Sequence, residues 1–186
     1  MKILFVEPFA NFLPACNGFY FPKPAVLSLA SYLERNGHEV KILEPFIMRL
    51  SQKEMFRVIR EEKAEIICIS GFTYVAYSCM ATAKLIKEQL PDTKVIFGGM
   101  HFSYMPNESL SICKEIDYIV IGEGENTLLE LVKNLEDGKT KEDMLNVKGL
   151  AYMQGETIIK TDSRLFIEDI DSLPMPAYHL LPIRKS

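Results

Sequence analysis

Apolar residues in this chain fall into short continuous runs that alternate with stretches of helical spacing. Lys2–Val6 is a compact run with β-branched residues; it breaks at Glu7-Pro8 and gives way to a long loop rich in aromatics, Asn, Pro and Gly that lasts to Pro24. From Ala25 onward Val26, Leu29, Ala30 and Leu33 recur at helical spacing, and Asn36-Gly37 is a helix stop. Glu39–Leu43 reads as a second strand and 51–62 as a second helix, opened by Ser51 with Glu54 three residues on in a capping-box arrangement. The stretch 65–70 is a continuous apolar strand of the kind buried on both faces, and 75–90 is a helix stopped by Pro91. The stretch 94–97 is the next buried strand, ending in Gly98-Gly99. A helix over about 107–114, a strand over 117–121 and a helix through Leu128, Leu129, Leu131, Val132 and Leu135 to Gly138 complete the pattern.

Five strands thus alternate with five helices. Strands apolar along their whole length need helices on both faces of a parallel sheet, so the pattern predicts a doubly wound, five-stranded α/β domain over about residues 1–140. The pattern then changes. Residues 149–153 and 157–160 flank Gln154-Gly155-Glu156 as a β-hairpin, an appendage over 141–164. Residues 165–186, with DIDSLPMPAYHLLP, are too rich in Pro and Asp for a core helix and read as an extended linker.

Composition narrows the class. Of 186 residues, 48% are hydrophobic and 25% charged, the proportions of a globular protein rather than a disordered or collagen-like one. A net charge of -4 provides no positive field to attract a phosphate backbone or an anionic membrane, so no nucleic-acid partner is expected. Cys16, Cys68, Cys79 and Cys113 form no CxxC pair and read as reduced thiols of a cytoplasmic protein. The N-terminal apolar stretch is broken by Glu7 and Pro8 too early for a signal peptide, and no membrane span is expected.

In an open parallel sheet, ligands bind beyond the carboxyl ends of the strands, where loops diverge and helix N-termini point their amides into the gap. Those ends read Glu7-Pro8, Glu44-Pro45, Ser70-Gly71-Phe72-Thr73, Gly98-Gly99-Met100-His101 and Gly122-Glu123-Gly124-Glu125. Glycines at three strand ends let a large ligand pass close to the backbone, and Ser70 and Thr73 offer hydroxyls; the same glycines also suit tight βα turns, and both readings stand at this point. Glu123 and Glu125 admit acid–base work, or simply complement a helix start. His101 is the best placed of the three histidines for metal or cofactor contact; His38 reads as a turn residue and His179 falls in the linker. GxxxxGK[ST], HExxH and GxSxG are all absent, and the GEGE run lacks the third glycine of a dinucleotide fingerprint. A receiver-like interaction domain would need an acidic cluster after the first strand and an acceptor Asp after the third, where Ser70-Gly71 stands. A flavin or nucleotide domain of the same fold is the other alternative.

Six segments carry a resemblance: PKPAVLSLASYLERNGHEVKILE at 22–44, ISGFTY at 69–74, VIFGGMH at 95–101, IDYIVIGEGENTLLELV at 116–132, VKGLAYMQGETIIKT at 147–161 and IDSLPMPAYHLLP at 170–182. In this order and spacing the chain resembles the N-terminal cobalamin-binding domain of cobalamin-dependent radical S-adenosylmethionine proteins, the group that includes the anaerobic Mg-protoporphyrin monomethyl ester cyclases. The resemblance implies a flavodoxin-like sheet of order 2-1-3-4-5 whose strand ends hold cobalamin. Ser70, Gly71, Thr73, Gly98, Gly99, Met100, His101, Gly122, Glu123 and Gly124 would then line the cofactor.

The loop after strand one carries no DxHxxG, so the resemblance implies cobalamin bound base-off, without that histidine. No CxxxCxxC is present to hold a [4Fe-4S] cluster, so radical chemistry with S-adenosylmethionine would belong to a C-terminal barrel beyond this chain. The chain is then expected to be one domain of a longer methyltransferase or cyclase, not catalytic alone. Phe9, Phe12, Phe19, Tyr20 and Phe21 would cover the corrin or pack against that barrel; left exposed, they would favour a homodimer.

Overall fold

The computed structural model describes residues 1–8 and 23–181. Seven strands form one sheet: β1 (Lys2–Val6), β2 (Glu39–Leu43), β3 (Ile66–Ser70), β4 (Lys94–Gly98), β5 (Tyr118–Val120), β6 (Leu150–Gln154) and β7 (Thr157–Lys160), in the order β2-β1-β3-β4-β5-β6-β7. The first five are parallel and stand in the expected order 2-1-3-4-5. The hairpin forms as expected, but β6 pairs antiparallel with β5, so the sheet has seven strands instead of five. Leu150, Ala151 and Tyr152 are fully buried, as suits β6, which lies inside the sheet between β5 and the edge strand β7. Gly149 makes the entry: its φ is +79°, and the amide of Ile121 donates to its carbonyl at 2.8 Å.

Side chains alternate across the sheet into two cores. Ile3, Phe5, Ile66, Cys68, Ile96 and Tyr118 face helices α1 (Pro24–Arg35) and, near the C-terminal side, the helix Glu125–Glu136. Leu4, Val6, Ile67, Ile69, Val95 and Phe97 face the opposite layer. Burial on both faces is why β1, β3, β4 and β5 read as apolar runs, whereas β2, at the edge, leaves Glu39 and Lys41 exposed.

Between these stand α2 (Pro45–Met48), α3 (Gln52–Glu62), α4 (Ala76–Gln89), α5 (Met100–Tyr104) and α6 (Pro106–Ile112); the helix Glu125–Glu136 is α7. The Ser51 capping box closes as expected: Ser51 Oγ accepts from the Glu54 amide at 3.3 Å, and Glu54 accepts from the Ser51 amide at 2.8 Å. The pattern did not predict α2 or α5. Pro45 and a left-handed Arg49 confine α2 to one turn, and α5 is five residues with only Phe102 buried, too short for a period to register. Residues 165–181 are extended apart from two 3-10 turns, and lie along α1: the Ala177 amide donates to the Leu27 carbonyl at 3.0 Å, and Arg35 to the Ser172 carbonyl at 2.7 Å. No helix among the described residues is long and apolar enough to cross a membrane.

Candidate functional site

Parallel pairing brings the carboxyl ends of β1, β3, β4 and β5 to one edge. Ser70 stands opposite Gly98 in the register, and the Gly71 amide donates to the Gly98 carbonyl at 3.1 Å. The chain then turns back on itself through His101, whose amide donates to the Gly71 carbonyl at 3.2 Å. His101 Nδ1 lies 3.3 Å from Thr73 Oγ1, joining the loops after β3 and β4. Ser70, Gly71, Thr73, Gly98, Gly99, Met100 and His101 are therefore brought together. Across β5, the Gly122 amide donates to Ser103 Oγ at 3.1 Å, which ties the third glycine turn to the same edge.

The glycines differ in what surrounds them. A Cβ on Gly71 would come within 2.7 Å of Cys79 Sγ, and one on Gly99, where φ is +86°, within 2.6 Å of Ser70 Oγ. One on Gly124 would lie 2.9 Å from Leu29. These three are glycine because the protein itself fills the space. At Gly98 the nearest atom to such a Cβ is the Val120 carbonyl at 3.7 Å, and at Gly122 nothing lies within 4 Å. At these two positions the space beside the backbone is open, and at Gly122 a φ of +77° also favours glycine.

Glu123 and Glu125 have other partners. Glu123 accepts from the Ile167 amide at 2.8 Å, and Glu125 accepts from Ser28 Oγ at 2.7 Å. The first fastens the C-terminal segment and the second clasps α7 to α1, so neither stands as a free acid–base group.

Two groupings at this edge were not read from the sequence, although Met100 was expected at the site and Glu7 and Phe72 were named at strand ends. Lys23 Nζ pairs with Glu7 Oε2 at 2.7 Å and donates to the Ser70 carbonyl at 2.7 Å. Burial pushes the Glu7 carboxyl above its ordinary value, with Lys23 pulling the other way. Phe46, Phe72, Tyr74, Tyr77, Met100, Tyr104 and Met105 are all exposed, and all follow β2, β3 or β4. Apolar side chains in strand-end loops were the available signal; only their shared edge gives it meaning. The expected thiols at Cys68, Cys79 and Cys113 are free and buried, and burial pushes Cys79 up to about 12, far from a reactive thiolate. Cys16 and the aromatic loop over 9–22 lie outside the described residues. Among the described residues no cluster of three His, Cys, Asp or Glu is arranged to hold a metal ion.

Glycine turns gathered at the carboxyl edge of a doubly wound sheet place the chain in the class of open α/β domains, in which that edge is where ligands bind. The chain belongs to the B12-binding domain family, whose model matches residues 11–132. It is 31% identical over its whole length to an uncharacterised methyltransferase, PH0819, of Pyrococcus horikoshii, of which it covers 40%. Over 93% of its length it is 30% identical to the anaerobic magnesium-protoporphyrin IX monomethyl ester cyclase of Cereibacter sphaeroides, covering 28% of that protein. The chain thus spans well under half the length of these relatives. Its fold matches that of the radical S-adenosylmethionine methyltransferase TsrM of Kitasatospora setae, solved with cobalamin and a [4Fe-4S] cluster, with a TM-score of 0.68 at 21% identity over 94% of this chain and 31% of TsrM. The family resemblance read from the six segments is borne out.

Proposed function

We propose that this chain is the cobalamin-binding module of a longer radical S-adenosylmethionine protein, a methyltransferase or a cyclase. The observation that carries the reading is a chain of the B12-binding domain family whose backbone is left open at Gly98 and Gly122, on the strand-end edge. The surroundings suit an amphipathic macrocycle with polar amide arms. Ser70 and Thr73 hydroxyls offer hydrogen bonds, Gly98 and Gly122 admit the elongated nucleotide arm, and exposed Phe72, Tyr74, Met100 and Tyr104 offer apolar contact around it. Cobalamin, when bound, supplies a cobalt centre able to carry a methyl group or to exchange electrons.

The chain's own part is to bind and orient. Residues 7–24 contain no histidine, which supports binding base-off without a ligand from that loop. The cluster and S-adenosylmethionine are assigned to a further domain, because the four cysteines hold no CxxxCxxC. Residues 165–181 are the approach to it.

Titration of the purified protein with hydroxocobalamin, followed by gel filtration and a visible spectrum of the protein peak, tests the reading. Co-elution near one equivalent with a base-off spectrum is expected, and Gly98→Val should weaken uptake at least tenfold. A protein peak without colour overturns the proposal.

A further inference from the structure

The sheet order reverses between β1 and β3, and a crevice opens where their carboxyl ends part. Pairing of these strands ends at Phe5 opposite Cys68, while β3 runs on to Ser70. The Gly71 amide is turned toward β4, where it meets the Gly98 carbonyl. In a planar trans peptide the preceding carbonyl points the opposite way, so the Ser70 carbonyl faces the crevice, past the last residue that β1 can pair. Lys23 Nζ fills that role at 2.7 Å, and the same ammonium reaches Glu7 Oε2 on the other wall at 2.7 Å. The two side chains are only 17% and 22% exposed, so the pair is shielded from water and salt. On its other side Ser70 packs against the Gly99 turn, its Oγ occupying the space that a Cβ there would need.

We infer that Lys23 is a positioning residue for the cofactor site: one ammonium ties the end of β1 to the end of β3 and so sets where Ser70 and the Gly71–Thr73 turn stand. The inference rests on the cobalamin reading for its functional consequence, but the tie itself belongs to the protein without cofactor. An ammonium carries three donors and can serve both acceptors at once. A hydrocarbon in its place leaves a carbonyl without a donor and a shielded carboxylate without a cation, and the crevice must admit water to meet them.

The test uses the whole chain, with Lys23→Met, Lys23→Arg and Glu7→Gln. Amide hydrogen exchange of the cofactor-free protein should quicken at least tenfold at Gly71 and Thr73 in Lys23→Met, with α7 unchanged. Hydroxocobalamin affinity in the same variant should fall at least tenfold. Lys23→Arg should bring both within threefold of the starting protein, and Glu7→Gln should move exchange less than Lys23→Met, because the bond to Ser70 remains. Unchanged exchange at Gly71 and Thr73 overturns the inference, as does faster exchange spread evenly over the sheet and α7. If the starting protein takes up no hydroxocobalamin, the cofactor reading falls, and the exchange result still decides the role of Lys23.

Discussion

At Gly99 a side chain would collide with the protein; at Gly98 its Cβ would meet only the Val120 carbonyl, at 3.7 Å, an ordinary contact. Gly99 has φ +86° and ψ -179°, a region open essentially to glycine, with Ser70 Oγ and the Gly71 backbone close by. Gly99→Ala should therefore cost at least about 2 kcal/mol in urea unfolding with no cofactor present. Gly98→Val should leave that midpoint nearly unchanged while weakening cobalamin uptake, and this pair of variants separates folding from binding. His38 gives a second prediction at this scale. Its ring is buried, Nε2 has no partner among the described residues, and Nδ1 lies 3.4 Å from the terminal amine of Met1. Burial first, then that amine, lowers its pKa below the ordinary 6.5, against the pull of Glu136. The unfolded chain then protonates first, so the neutral ring's contribution is whole above pH 6.5 and drains away as pH falls toward the lowered value. Melting temperature should drop less between pH 7.5 and 5.5 in His38→Leu than in the unaltered protein.

At the level of elements, long pieces were legible and short ones were not. The helix in the first crossover announces itself by Val26, Ala30 and Leu33 and ends at Asn36, as its periodicity and the following Gly37 require. α2 and α5 show no such signal, because four or five residues complete no second turn. The C-terminal segment reads as an extended linker, and it is extended, yet it is fastened. Arg164 bonds to Thr127 and pairs with Glu130, His179 meets Glu34 at 2.9 Å, and Ala177 is fully buried against α1. Ala177→Arg should release it, since a guanidinium has no room in that contact. Limited proteolysis read by mass spectrometry should then show new cleavage within 165–181, while 1–160 stays intact.

For the whole molecule the consequence of the fold is an edge: loops from four strands, far apart in sequence, converge on one rim. A ligand held there by the folded state alone stabilises it by mass action, about 2.7 kcal/mol at one hundred times Kd. For a domain of this size that corresponds to a rise of about 5–10 °C in melting temperature. Hydroxocobalamin should produce that rise, and Gly98→Val should cut it by about half or more at the same concentration.

The order of the strands came only from the resemblance to a known family; the sequence by itself determined the five parallel strands and the polar, glycine-containing strand ends. Those are local matters: apolar runs mark strands buried on both faces, and glycine with hydroxyl residues marks the turns. Only the tertiary structure decided which glycines are held by the protein's own packing and which are left open. It alone also paired Glu123 with Ile167, placed Lys23 between Glu7 and Ser70, and joined the hairpin to β5. Each of these depends on the distance between atoms from segments remote in the chain, and a distance of that kind leaves no period or spacing in the sequence to be read.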